Sequence, residues 1–144
     1  MKRIAIAEAK LQLKRISDYL DSPLLLIGGL AIQQYAPTRD SQDIDLVCEF
    51  DIARGLVDVL FPRNEWTVVD ENDDEYRPSF YAKHKHDDTL PVIKFGPKIK
   101  ERGAYKFLDW DLIEQDAESF HFRTELLSNV RVPTAEALLS LIHI

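Results

Sequence analysis

The chain has 144 residues, 45% of them apolar and 30% charged, with a formal net charge of −7. Such a length fits one domain with a sizeable core; the apolar share excludes wholesale disorder, and the acidic balance excludes a surface that wraps a nucleic-acid backbone without discrimination. The single cysteine, Cys48, rules out an internal disulfide framework and suits a reducing cytoplasm. No apolar run approaches the ~20 residues that span a bilayer, and Glu8, Lys10, Lys14 and Arg15 interrupt any signal-peptide core, so a cytoplasmic location is expected.

Ala9, Leu13, Ile16 and Leu20 recur at helical spacing and predict an amphipathic helix over residues 6–20. Pro23 ends it by biasing Ser22 away from helical angles. Leu24–Ile27 is an all-apolar run, the pattern of a strand covered on both faces. "GGLAIQQYA" (28–36) reads as a tight turn into a short helix that stops before Pro37. In "DIDLVCEF" (43–50), Asp43, Asp45 and Val47 alternate with Ile44, Leu46 and Cys48, which predicts a strand. "DIARGLVDVLF" (51–61) carries Ile52, Leu56, Val59 and Leu60 at helical spacing behind an aspartate that can cap.

"EWTVVD" (65–70) is a further strand and "ENDDE" (71–75) a solvated loop. "SFYAKHKH" (79–86) and "TLPVIKFG" (89–96) read as strands joined by a polar turn around Asp87 and Asp88. Residues 103–125 are ambiguous, with "AYKFLDWDLI" readable as a strand. "NVRVP" reads as a strand, and "TAEALLSLIHI" as a helix with Thr134 as its N-cap. The order α-β-α-β-α-β followed by more strands predicts an α/β (α+β) fold, a mixed β-sheet flanked by helices in a single domain over residues 1–144. The last helix reaches Ile144 with its apolar side just established. Either the chain is the N-terminal part of a longer protein, or a partner covers that face.

Gly28 and Gly29 follow a buried strand and open a helix. A backbone without side chains can approach a ligand closely, and N–H groups at a helix start suit phosphate. The Lys-Ser/Thr of a Walker loop is missing, as is G-x-G-x-x-G. Asp43 and Asp45, two apart on a strand, project to the same face. Two carboxylates there repel and are costly to bury without a cation. Mg²⁺ resolves that cost, since it takes one or two carboxylates together with substrate phosphates. A metal–nucleotide site beside a phosphate-holding turn is therefore predicted. Alone, a glycine pair marks a turn and D-x-D is common at strand ends; order and context give the combination its weight. His84 and His86 lack a third ligand at zinc-like spacing and read as surface residues, Cys48 as a buried small apolar residue, and Trp66 and Trp110 as core or interface.

Strand, Gly-Gly, short helix and then "TRDSQDIDL" (38–46) resembles the nucleotidyltransferase superfamily of the DNA polymerase β type. The likeness is closest to small bacterial members associated with abortive infection and toxin–antitoxin pairs. Gly28, Gly29, Arg39, Ser41, Asp43 and Asp45 occupy the positions of that signature. The resemblance is close over residues 24–50 and continues weakly to "NVRVPTAEALLSLI". It implies that Asp43 and Asp45 hold Mg²⁺ (or Mn²⁺) bridging the triphosphate of an NTP, while Gly28, Gly29 and Ser41 hold the β- and γ-phosphates. Arg39 would contact phosphate or cap the local turn. An RNA or protein hydroxyl would attack the α-phosphorus, in a toxin-like member with an antitoxin or other partner protein. Active members add a third carboxylate from a later strand. The matching strand, 89–96, has no Asp or Glu, and comparison of patterns puts Pro91 at the acidic position. Asp88, beside Asp87, is the nearest candidate for the third metal ligand, and Asp109 with Asp111 another. Lys94 could contact the nucleotide's phosphates, pair with Asp43 or Asp45 in place of a metal, or face solvent; "PKIKER" (97–102) adds local positive charge. Three readings follow: a Mg²⁺-dependent nucleotidyltransferase, a catalytically inactive nucleotide- or partner-binding domain on the same fold, or a purely structural domain in which Asp43 and Asp45 pair with lysine or arginine.

Overall fold

A computed structural model describes residues 6–32, 34–35, 43–70, 80–96, 110–122 and 125–142. Its elements are α1 (Ile6–Tyr19), β1 (Leu24–Ile27), α2 (Gly28–Ile32), β2 (Asp43–Val47), α3 (Phe50–Leu60), β3 (Trp66–Asp70), β4 (Phe80–His84), β5 (Val92–Gly96), α4 (Trp110–Asp116), β6 (Glu118–Phe122), β7 (Glu125–Val132) and α5 (Ala135–Ile142). The described strands form one seven-stranded sheet in the order β3-β4-β5-β2-β1-β7-β6. It is mixed as predicted: β1 runs antiparallel to β2 and parallel to β7, and β2 runs parallel to β5.

Alternation of side chains across these strands assigns the two faces. Leu24, Leu26, Ile44, Leu46, Cys48, Phe80, Ala82, Ile93 and Phe95 turn to one face and are buried there. They pack with Leu13 and Ile16 of α1, Leu30 and Ala31 of α2, and Leu56 and Val57 of α3 in the main core. On the opposite face Leu25 and Val47 pack with Trp110 and Ala117, flanked by Ile27 and Ile113. Trp110 and Ile113 are three residues apart on α4, a helical spacing, and Ala117 follows directly after the helix end. That spacing corrects the strand reading of residues 104–113: from Trp110 the chain is helix α4, because its apolar side has the central sheet to cover. The ambiguous segment also yields β6, which pairs antiparallel with β7 around an irregularity at Ser119/Phe120.

Side chains from distant segments finish the helix ends. α1 ends without a basic residue in its last turn, and its final carbonyls need partners. Asn129 of β7 supplies them: its Nδ2 donates to the carbonyls of Ser17 (3.0 Å) and Leu20 (2.5 Å), and its own N–H donates to Ser17 Oγ (3.1 Å). Arg15 donates to the Leu60 carbonyl at 2.7 Å, joining α1 to the end of α3. Thr134 caps α5 as predicted, its Oγ1 accepting from the Ala137 N–H at 3.2 Å. Tyr35, just after α2, donates to the Pro133 carbonyl at 2.7 Å and fastens that turn to the start of α5.

Asn129→Ala is expected to lower stability by about 1–3 kcal/mol, the range for leaving partly buried polar groups unpaired. Asn129→Asp, which turns an acceptor toward the same carbonyls, should cost at least as much. Urea denaturation of both variants against the parent measures this.

Candidate functional site

The site is built where β1 ends. Ile27 stands opposite Asp45 in the antiparallel β1–β2 pair, and the chain turns into α2 at Gly28 with φ of 77°. L-residues rarely adopt that backbone conformation. Space imposes the same choice. A Cβ on Gly28 would overlap Asp45 Oδ2 and lie 3.1 Å from Asp45 Cγ. Gly28 is thus the residue that lets the Asp45 carboxyl lie against the turn. Gly29, the second residue of α2, is half-buried beside it.

Asp43 and Asp45 share one face of β2, and both are half-buried. On the far side of β2 the parallel partner β5 sets Val92 beside Asp43 and Lys94 beside Asp45. Lys94 Nζ lies 3.2 Å from Asp43 Oδ2, with the lysine side chain 49% and the aspartate 37% exposed. Burial pushes the Asp45 carboxyl above the ordinary carboxylate value, the neighbouring Asp43 charge adds to the rise, and Lys94 opposes both. Across β4, Tyr81 stands in register with Lys94 on the same face.

The structure brings together Gly28, Gly29, Asp43, Asp45 and Lys94 of the residues predicted for the site. Pro91 is not where pattern comparison put it. It is buried and precedes β5, whereas Val92 and Lys94 share the carboxylate face. Within β5, positions 92 and 94 share the carboxylate face and positions 93 and 95 turn to the core. Asp88 lies exposed in the β4–β5 turn, where Asp87 accepts from the Thr89 N–H at 3.0 Å and the His84 ring accepts from the N–H groups of His86 and Asp87. Among the described residues no group of three or more His, Cys, Asp or Glu side chains converges as a metal cage. Asp111 is exposed on α4. Arg39, Ser41, Asp109, the 71–75 loop and residues 97–102 lie outside the described residues. Trp66 and Trp110 are both core residues.

The donor set fits one kind of metal ion. Two carboxylates held on one face, one of them resisting ionisation, suit a divalent cation that arrives with other oxygen ligands, such as phosphates and water. They do not form a closed all-protein cage. Sequence reading missed Tyr81 as a flank of the site, although the inward–outward alternation of Phe80, Tyr81, Ala82 and Lys83 carried the signal.

Comparison with known proteins bears on this geometry. No family profile matches the sequence, and no curated protein matches it. Solved structures do. A proposed nucleotidyltransferase from Thermotoga maritima superposes with a TM-score of 0.69 at 11% identity, covering 99% of this chain and 86% of that one. A proposed nucleotidyltransferase from Helicobacter pylori superposes with a TM-score of 0.58 at 16% identity, covering 98% and 58%. ANT(2")-Ia, in complex with adenylyl-2"-tobramycin, superposes with a TM-score of 0.57 at 19% identity, covering 94% and 73%. The chain spans little more than half the length of the Helicobacter pylori structures it matches. Its fold is that of these nucleotidyltransferase structures, as the resemblance of residues 24–50 implied. No helix among the described residues is long and apolar enough to cross a membrane.

Gly28→Ala is expected to lose about 1–2 kcal/mol from its left-handed backbone alone, and more from displacing Asp45. Gly55→Ala, a helix-interior site where the new Cβ meets only Tyr19 Oη at 3.9 Å, should instead stabilise by about 0.5–1 kcal/mol. Denaturant unfolding of the two variants reads the contrast.

Asp45→Asn is expected to raise the melting temperature at neutral pH. Because the folded-state pKa of Asp45 is raised, the folded protein binds more protons than the unfolded chain between the two values, and stability falls as pH rises through that window. The gain from Asp45→Asn should therefore persist at neutral pH and vanish below the ordinary carboxylate range. Melting curves from pH 3 to 8 test the sign.

Proposed function

We propose that this domain is a divalent-metal-dependent nucleotidyltransferase that moves an NMP group from an NTP to a hydroxyl of an RNA or a protein. One observation carries the reading: on a nucleotidyltransferase fold, Asp43 and Asp45 share one face of β2 while Gly28 is kept free of a side chain against Asp45. The structural neighbour bound to adenylyl-2"-tobramycin supports a nucleotidyl product on this fold.

In this mechanism Asp43 and Asp45 would hold Mg²⁺ or Mn²⁺, which supplies charge neutralisation at the phosphates when bound. The glycine turn, Gly28 and Gly29, lets the triphosphate approach the backbone closely. Arg39 and Ser41 join it through the resemblance of residues 38–46. Lys94 meets the phosphates from β5, on the face it shares with the carboxylates. Asp88 would enter the site only if the β4–β5 turn closes over it. The acceptor oxygen bonds to the α-phosphorus, the bond from that phosphorus to the bridging oxygen of the β-phosphate breaks, pyrophosphate leaves, and the hydroxyl proton passes to solvent. The domain's work is positioning and charge. The likeness of residues 24–50 to toxin–antitoxin members extends the proposal to a toxin-like role in the cytoplasm, with an antitoxin or similar partner.

A second reading has its own observation. Lys94 pairs with Asp43, and no third carboxylate converges among the described residues. A nucleotide- or partner-binding domain without turnover would be built this way.

The protein incubated with each labelled NTP, Mn²⁺ or Mg²⁺ and total RNA should transfer label, and Asp43→Ala/Asp45→Ala should reduce transfer by about 10³-fold or more. Transfer absent from the parent, with metal-dependent nucleotide binding retained, selects the second reading. No rise in melting temperature with nucleotide and metal together overturns the transferase and the nucleotide-binding readings.

A further inference from the structure

The β2–β5 register places a cation where the carboxylate pair calls for one. Asp45 has Lys94 directly beside it, and the Lys94 ammonium reaches diagonally to Asp43 Oδ2 at 3.2 Å. One lysine therefore faces both carboxylates. It is supplied by the protein itself. Its hold is light, because half of the side chain is exposed and exposed ion pairs contribute little. The ammonium rides on a flexible four-carbon stem, so it can leave Asp43 without moving β5.

We propose that Lys94 is a resident counter-ion that makes entry of the divalent cation conditional on the nucleotide. In the free protein the ammonium offsets part of the carboxylate pair's charge, and a divalent ion alone meets a site whose negative charge is already partly met. A nucleoside triphosphate changes both sides of that balance. Its phosphates draw Lys94 away from Asp43, and their oxygens complete the coordination that two carboxylates leave open. Metal and nucleotide then bind with positive coupling, and linkage requires that each raise the affinity of the other equally. The inference rests on the nucleotidyltransferase reading and adds to it an order of assembly and the residue that enforces it.

Isothermal titration of the whole chain tests this with Mn²⁺ alone, a non-hydrolysable NTP analogue alone, and Mn²⁺ in the presence of the analogue. The parent should bind Mn²⁺ alone weakly and bind it much more tightly with the analogue present. Lys94→Met should bind Mn²⁺ alone at least about tenfold more tightly, as removal of a unit charge a few ångströms away implies. The same variant should bind the analogue alone more weakly, so the two affinities move in opposite directions, which loss of structure cannot produce. Lys94→Arg, which keeps the charge, should restore the weak metal-only binding. Equal Mn²⁺ affinity in the parent and Lys94→Met overturns the role of Lys94 and leaves the transferase reading standing. Failure of the parent to bind the analogue even with Mn²⁺ overturns the transferase reading and this inference with it.

Discussion

Ile27 of β1 faces Asp45 of β2, and the arrangement of the site follows from that one position in the register. It sets the last residue of the strand against a carboxylate, so the chain must turn at Gly28 with no side chain in the way. It also fixes which neighbour Asp45 meets on its other side, because β2 carries the register onward to β5 and Lys94. A slip of one residue between β1 and β2 would turn Asp45 into the main core and Ile44 out of it. The fully buried Ile44 and nearly buried Leu46 hold the register against that slip. The polar site is thus aligned by apolar side chains on the reverse of the same strand.

Charge is left unbalanced on purpose-built ground. Asp45 is pressed between Gly28, Asp43 and Lys94, and its carboxyl resists ionisation through burial and through the neighbouring carboxylate. A domain selected for stability alone would place an apolar or amide residue there, since burying like charges together lowers stability. Retaining the pair makes sense if a cation is part of the working state. Lys94 supplies one positive charge against two negative ones, so it offsets only part of the pair's charge.

Much of this was legible in the sequence because local patterns and tertiary needs agreed. The apolar run of β1, the glycine break and the alternation of β2 each admit a single reading, and the structure follows them at Leu24–Ile27, Gly28 and Asp43–Val47. Thr134 likewise announced its helix. Other features depend on contacts that no local pattern contains. Trp110 and Ile113 fit a helix as well as "FLDWDL" fits a strand, and the open patch of sheet at Leu25 and Val47 settles the choice. Pro91 illustrates a different limit. Pattern comparison can slide by one residue, but a strand cannot, since a shift of one changes the face. On β5 the residues that share the carboxylate face are therefore Val92, beside Asp43, and Lys94, beside Asp45.

The core, and not the ion pair, puts Lys94 there. Ile93 and Phe95 are buried on the reverse face of β5, and each such side chain contributes about 1.5–3 kcal/mol through burial. An exposed ion pair such as Lys94–Asp43 contributes about 0–1 kcal/mol. The inequality means that β5 keeps its register whether or not Lys94 touches Asp43. The strand is the fixed part and the ammonium the movable one. A counter-ion that can be displaced without disturbing the sheet is what a site needs if it must hold two carboxylates together at rest and give them up to a metal when substrate arrives.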